Sequence, residues 1–129
     1  MTIASTGDAT DFGDLTAARG RLGSVCSNTR GVMCGGETPT AVNTIDFITI
    51  ASAGNALDFG DCISVLSQSA GGASNNTRGA FVVSYIAPAY TNAIQFVTIA
   101  SQGNSADFGD NTVAGGRSYG FSNSHGGLS

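Results

Sequence analysis

The residues whose types and spacing suggest chemistry sit in one stretch, Thr49 to Asp61, "TIASAGNALDFGD". Asp58-Phe59-Gly60 is the tripeptide with which protein kinases hold magnesium. Asn55, Asp58 and Asp61, at i, i+3 and i+6, also put three oxygen-bearing side chains into one glycine-containing turn, the kind of cluster a calcium ion takes. Both chemistries are weakened by the rest of the chain. The stretch occurs three times, from Thr2, Thr49 and Thr98, with nine of its thirteen positions identical in all three copies. A catalytic triplet is needed once per active site, whereas a structural corner is needed once per repeat. The five basic residues are all arginines, so the lysine of a kinase is missing. The spacing also lacks the alternating ligands and late bidentate Glu of an EF-hand.

The alternative reading makes the stretch a turn in which glycine supplies positive φ and Asn or Asp caps the backbone. On that reading Phe12, Phe59 and Phe108 are core anchors, one per sheet. The flanking pairs Asp11 with Asp14, Asp58 with Asp61 and Asp107 with Asp110 accept backbone N–H groups at the corner. No metal and no cofactor are expected.

Little else in the chain offers catalysis. The single histidine, His125, is near the C-terminus, and there is no G-x-S-x-G and no Cys–His arrangement that defines a site. The expectation is a protein that is not an enzyme. Cys26, Cys34 and Cys62 are an odd number without a CxxC pair. They read as reduced, partly buried thiols, with a Cys26–Cys34 hairpin disulfide as the alternative in an oxidising setting. Asn75 heads the only glycosylation sequon, which the absence of a signal peptide leaves without a use.

The elements that must position these residues are strands. With 129 residues, 41% of them hydrophobic, the chain has room for one domain with a modest core. Nineteen glycines without a collagen period and only two prolines describe short strands joined by tight turns. Charged residues are only 11% of the chain and the net charge is −4, which argues against a nucleic acid or an anionic membrane as partner. No apolar run is long enough to span a bilayer and no leader segment precedes "TIAS", so a soluble chain without export is expected.

A second marker recurs with the first: "SNTRG" at Ser27 to Gly31, "SNNTRG" at Ser74 to Gly79 and a weaker "SNSHG" at Ser122 to Gly126. The steps from Thr2 to Thr49 and from Thr49 to Thr98 are 47 and 49 residues, giving units 1–47, 48–96 and a partial 97–129 within a single all-β repeat domain, 1–129. Strands are expected at Arg30 to Gly36, Arg78 to Tyr85, Asn43 to Ser52 and Asn92 to Ser101. In the third of these Ile45, Phe47 and Thr49 share one face, and Asp46, Ile48 and Ile50 share the other. Arg30 and Arg78 begin their strands, where a guanidinium can reach a carboxylate of a neighbouring sheet and join the units; a ligand-facing basic ring is the functional alternative.

The order of glycine-pair-ended strand, polar alternating strand, aromatic turn and arginine–glycine corner resembles a kelch blade, here "VMCGG", "NTIDFITIAS", "DFGDLTAARG" and "LGSVCSNTRG". The wording as a whole resembles the kelch-like repeats of marine bacteriophage virion proteins, such as those of cyanophages. "VVSYIAPAY" departs from this pattern in the second unit, as does "DFGDNTVAGGRSYG" in the third. The resemblance implies a β-propeller-like virion structural protein on the particle surface, made in the host without a signal peptide, as capsid decoration or part of a tail fibre. Its partners would be other virion proteins or copies of itself. A glycan- or receptor-binding lectin-like module active in host attachment is the other reading, with Tyr85, Tyr90 and Tyr119 among its contacts.

Fewer than three full blades cannot close a propeller alone. Three kelch-like repeats, each about a four-stranded antiparallel sheet, are therefore expected to close as a three-sheet, β-prism- or propeller-like body whose N- and C-terminal strands share one sheet. A ring of several chains or docking on a scaffold are the alternatives.

Overall fold

The computed structural model describes residues 6–116 and 119–120, with the side chains of 69 and 70 excepted. These residues form an all-β structure of nine strands in two antiparallel sheets. The first sheet is a meander in the order β1 (Gly23–Cys26), β2 (Arg30–Cys34), β3 (Val42–Thr49) and β4 (Leu57–Leu66). The second repeats it as β5 (Gln68–Ser74), β6 (Arg78–Ile86), β8 (Ala93–Thr98) and β9 (Ala106–Asp110), with the two-residue β7 (Ala89–Tyr90) paired to β6. Register makes the equivalence residue by residue. Val32 pairs with Phe47 in the first sheet as Ala80 pairs with Phe96 in the second.

The turns that join these strands are set by local chemistry. At the β1–β2 turn the Ser27 hydroxyl accepts the amides of Thr29 and Arg30, and at the β5–β6 turn Asn75 Oδ1 accepts those of Thr77 and Arg78. This is why "SNTRG" and "SNNTRG" precede a strand: a short polar side chain closes the turn that starts it. The same register settles the cysteines. Cys26 pairs with Gly31 and Cys34 with Gly23, which puts the two at opposite ends of the β1–β2 hairpin. The Cys26–Cys34 pairing is thus excluded, and the expectation of three reduced thiols is corrected as well. Cys34 and Cys62 are disulfide-bonded between β2 and β4, and Cys26 is exposed and free.

The two sheets lie face to face, β1 over β5 and β6, and the core is the layer between them. Val25, Val32, Cys34, Ile45, Phe47, Phe59, Cys62 and Leu66 come from the first sheet; Phe81, Val83 and Val97 come from the second, joined by Ile99 just past β8. The approach is close enough to require glycine. A Cβ on Gly72 would be 2.7 Å from the Ser24 carbonyl oxygen, and a Cβ on Gly79 would be 2.9 Å from Val25 Cβ. The same relation recurs one step on, since a Cβ on Gly120 would run into the Gly72 carbonyl. Successive members of Ser24, Gly72 and Gly120 are 48 residues apart, so the same contact relates each unit to the next.

The described residues form two antiparallel sheets and no closed barrel or propeller. The N- and C-terminal segments expected to share a third sheet, "TIAS" and most of "SYGFSNS", lie outside the described residues. The third marker, Ser122 to Gly126 with His125, lies outside the described residues.

Candidate functional site

The three copies of the repeated corner come together as joints between successive units. In the first joint the amide of Gly54 donates to the Phe12 carbonyl at 2.8 Å and that of Ala56 to the Asp14 carbonyl at 2.8 Å, while the Asp14 amide donates to Asn55 Oδ1 at 3.0 Å. The second joint repeats it atom for atom. Gly103 donates to the Phe59 carbonyl at 2.8 Å, Ser105 to the Asp61 carbonyl at 2.9 Å, and Asp61 to Asn104 Oδ1 at 3.0 Å. In each case the x-Gly-Asn of one unit clips onto the Phe-Gly-Asp of the unit before it.

This geometry explains the glycine of Asp-Phe-Gly-Asp. Gly13 and Gly60 have φ of 143° and 146°, a region open to glycine, and a Cβ on Gly60 would stand 2.5 Å from the Gly103 carbonyl oxygen. A Cβ on Gly13 would meet the Gly54 carbonyl in the same way.

The part played by the aspartates is corrected at most positions. Asp11 does accept a corner amide, that of Gly13 at 3.2 Å. Asp14 and Asp61 take part through their main-chain groups, and the side-chain acceptor is the asparagine of the following unit. Among the described residues the carboxylates of Asp58, Asp61, Asp107 and Asp110 accept no such bond, and all four residues are exposed. Asn55, the first ligand of the imagined calcium cluster, faces Asp14 of the preceding unit and not Asp58 or Asp61.

The phenylalanines are not equivalent. Phe59 is 2% exposed and meets Phe47 edge to face at 5.9 Å, an anchor as expected. Phe12 is 38% and Phe108 56% exposed, so neither is a core anchor. Phe108 makes the same edge contact, with Phe96 at 6.0 Å, but no corner lies over it among the described residues. An occupied joint alone does not bury the ring, since Gly54 and Ala56 bond to the Phe12 and Asp14 carbonyls while Phe12 stays exposed; Phe59 combines an occupied joint with an aromatic partner one strand away.

The two arginines divide in the same way. Arg30 stacks over Phe47 at 4.8 Å and donates from one guanidinium nitrogen to the carbonyls of Ile99 at 3.1 Å and Ala100 at 2.9 Å, joining the sheets through main-chain oxygens where a carboxylate was expected. Arg78 stacks over Phe96 at 5.6 Å, is exposed, and finds no such carbonyl pair among the described residues.

One polar cluster escaped the sequence reading. Asp46, fully buried on β3, forms an ion pair with buried Arg19 at 3.0 Å and accepts the Thr16 hydroxyl at 2.7 Å and the Thr16 amide at 3.2 Å. Arg19 Nε donates to the Gly35 carbonyl at 2.9 Å. In the second sheet the equivalent position is Gln95, whose Oε1 accepts the Ile63 amide at 3.0 Å and the Ser105 hydroxyl at 2.6 Å. Leu66 stands where Arg19 does in the first unit. The exchange of Arg19 and Asp46 for Leu66 and Gln95 between repeats was the signal that could have found this pair. It is a bracing contact, closed to solvent on both partners, and offers no group to a substrate.

Among the described residues no group of three or more His, Cys, Asp or Glu side chains is arranged to hold a metal, and no helix is long and apolar enough to cross a membrane. No protein-family model matches the chain, and no curated protein matches it.

Proposed function

We propose that the chain is a non-enzymatic structural protein of a bacteriophage particle, a surface component that decorates the capsid or forms part of a tail fibre. The observation that carries this reading is the use of the repeated motif. Its glycines, asparagines and main-chain groups join one unit to the next, and Arg30 ties the sheets together, so the repeated residues build a stacked scaffold. The wording of the repeats, which resembles kelch-like repeats of marine phage virion proteins, supplies the particle. Partners on this reading are other virion proteins or further copies of the chain, at the particle surface.

The experiment is mass spectrometry of purified, nuclease-treated phage particles combined with gold-labelled antibody against the chain. Peptides at stoichiometric yield with label on intact particles are expected. Absence from particles, with the chain confined to the infected cell, would overturn the reading.

A second reading, a glycan-binding module for host attachment, is favoured by one feature. Tyr90 and Tyr119 are exposed and Tyr85 meets Tyr90 edge to face at 5.3 Å, an aromatic surface of the kind sugars stack on. Binding of polysaccharides on a glycan array that is lost in Tyr90→Ala would support it, and an array without signal would remove it.

A further inference from the structure

We infer that the chain associates head to tail with a second copy of itself through a third joint of the same kind, in which the Gly7-Asp8-Ala9 corner of one copy clips onto Phe108-Gly109-Asp110 of another. The inference rests on the joints and holds whether or not the virion reading does.

The two internal joints define what a Phe-Gly-Asp segment accepts: a Gly-Asn-small corner giving two amides and one side-chain oxygen. In the last repeat, Phe108-Gly109-Asp110 has the receptor's conformation with no occupant among the described residues. Gly109 has φ of 134°, close to Gly13 and Gly60, and a Cβ placed on it meets no atom of the described residues within 4 Å, where the other two would strike the next corner. Phe108 is exposed, and among the described residues Arg78 finds no carbonyls like those that hold Arg30. At the other side, Gly7-Asp8-Ala9 has the occupant's sequence and is exposed. Receptor and occupant are two different surfaces of one chain, so the contact is heterologous, and where the rotation between copies does not close it propagates into chains of copies.

The joint between copies differs from the internal ones in a single respect that bears on its strength. Asp8 stands where Asn55 and Asn104 stand inside. A carboxylate there can accept the Asp110 amide, yet it approaches the carboxylates of Asp107 and Asp110, and like charges repel. The copy-to-copy joint is therefore weaker than the internal ones and strengthens with salt, which screens that repulsion.

The test is sedimentation equilibrium of the intact chain over a wide concentration range, at low and high salt. Masses rising with concentration in steps of 12.9 kDa are expected, with several-fold tighter association at high salt and in Asp8→Asn. Gly109→Val, which places side-chain atoms where the corner must sit, should abolish association while the dilute chain keeps the circular dichroism of wild type. Gly7→Pro guards against a folding defect at Gly109 by removing the amide that would donate to the Phe108 carbonyl, the bond that Gly54 and Gly103 make inside, and should give the same loss. A chain monomeric at every concentration would overturn the inference, as would association that neither variant weakens.

Discussion

Phe59-Gly60-Asp61 and Phe108-Gly109-Asp110 are one motif in two situations. Both present a glycine with φ above 130°, both place the phenylalanine edge-on to a partner one strand away, and both lie near an arginine stacked on that partner. The first is covered by Gly103-Asn104-Ser105 and its phenylalanine is buried; the second has no corner over it among the described residues and its phenylalanine is exposed. Just past β3 and β8 the neighbour on the other side matters: Ile99, whose carbonyl takes Arg30 of the preceding unit, is fully buried, while its repeat equivalent Ile50 is 44% exposed. The difference teaches that the local sequence fixes the shape of the corner, while the neighbour along the stack decides what that corner contributes to stability.

Substitutions made in pairs break this comparison most sharply. Phe59→Ala removes a buried ring and should cost about 3–5 kcal/mol, whereas Phe108→Ala should cost about 1 kcal/mol or less, read from urea unfolding of the dilute chain. Equal losses would mean that the two faces are equally covered in solution. Valine at the two glycines follows. Each variant carries the strain of a side chain at positive φ, about 1–3 kcal/mol. Gly60→Val adds the collision with the Gly103 carbonyl and should be about 1–3 kcal/mol worse than Gly109→Val in the same unfolding measurement.

The arginines sharpen the comparison further. Arg30→Met keeps an apolar stem over Phe47 but loses two charge-assisted bonds, and should lower stability by about 1.5–3 kcal/mol. Arg78→Met should fall within about 0.5 kcal/mol of wild type. The smallest difference between a covered and an open position is expected at the corner acceptors. Asn55→Ala and Asn104→Ala should each cost about 1 kcal/mol through the lost bond to Asp14 or Asp61, and Asp8→Ala should leave the dilute chain unchanged in a thermal melt.

The strands and their pairing were legible because the repeat aligns them. "TRG" opens β2 and β6, and "NTIDFIT" and "NAIQFVT" form β3 and β8 in matching register. Only the Gly-Asn part of the motif is a turn: Asp58 to Asp61 and Asp107 to Asp110, expected in the same turn, belong to strands β4 and β9 with an irregular register beside Phe59 and Phe108, and the wiring was not legible either. Aspartate beside a turn glycine reads as a local cap, and only the stacking of units shows that the acceptor is the asparagine of the next repeat. Three identical phenylalanines read as three anchors, since nothing in thirteen local residues records how many neighbours a unit has. Alternation placed Asp46 with Ile48 and Ile50 on the face of its strand opposite Ile45 and Phe47, without a partner for its carboxylate. Its cover, Arg19 and Thr16, arrives from a segment outside the strands, about 30 residues upstream.

The most direct measurement of the central claim, that successive units are held by the corner joints, is amide hydrogen exchange by nuclear magnetic resonance on the dilute chain. Gly54, Ala56, Gly103 and Ser105 should be protected to nearly the degree of amides in the β6–β8 ladder, and Gly7 and Ala9 should exchange as freely as an open peptide. If Gly103 and Ser105 exchange as fast as Gly7 and Ala9, the joints do not hold the stack together in solution, and the account fails at its centre.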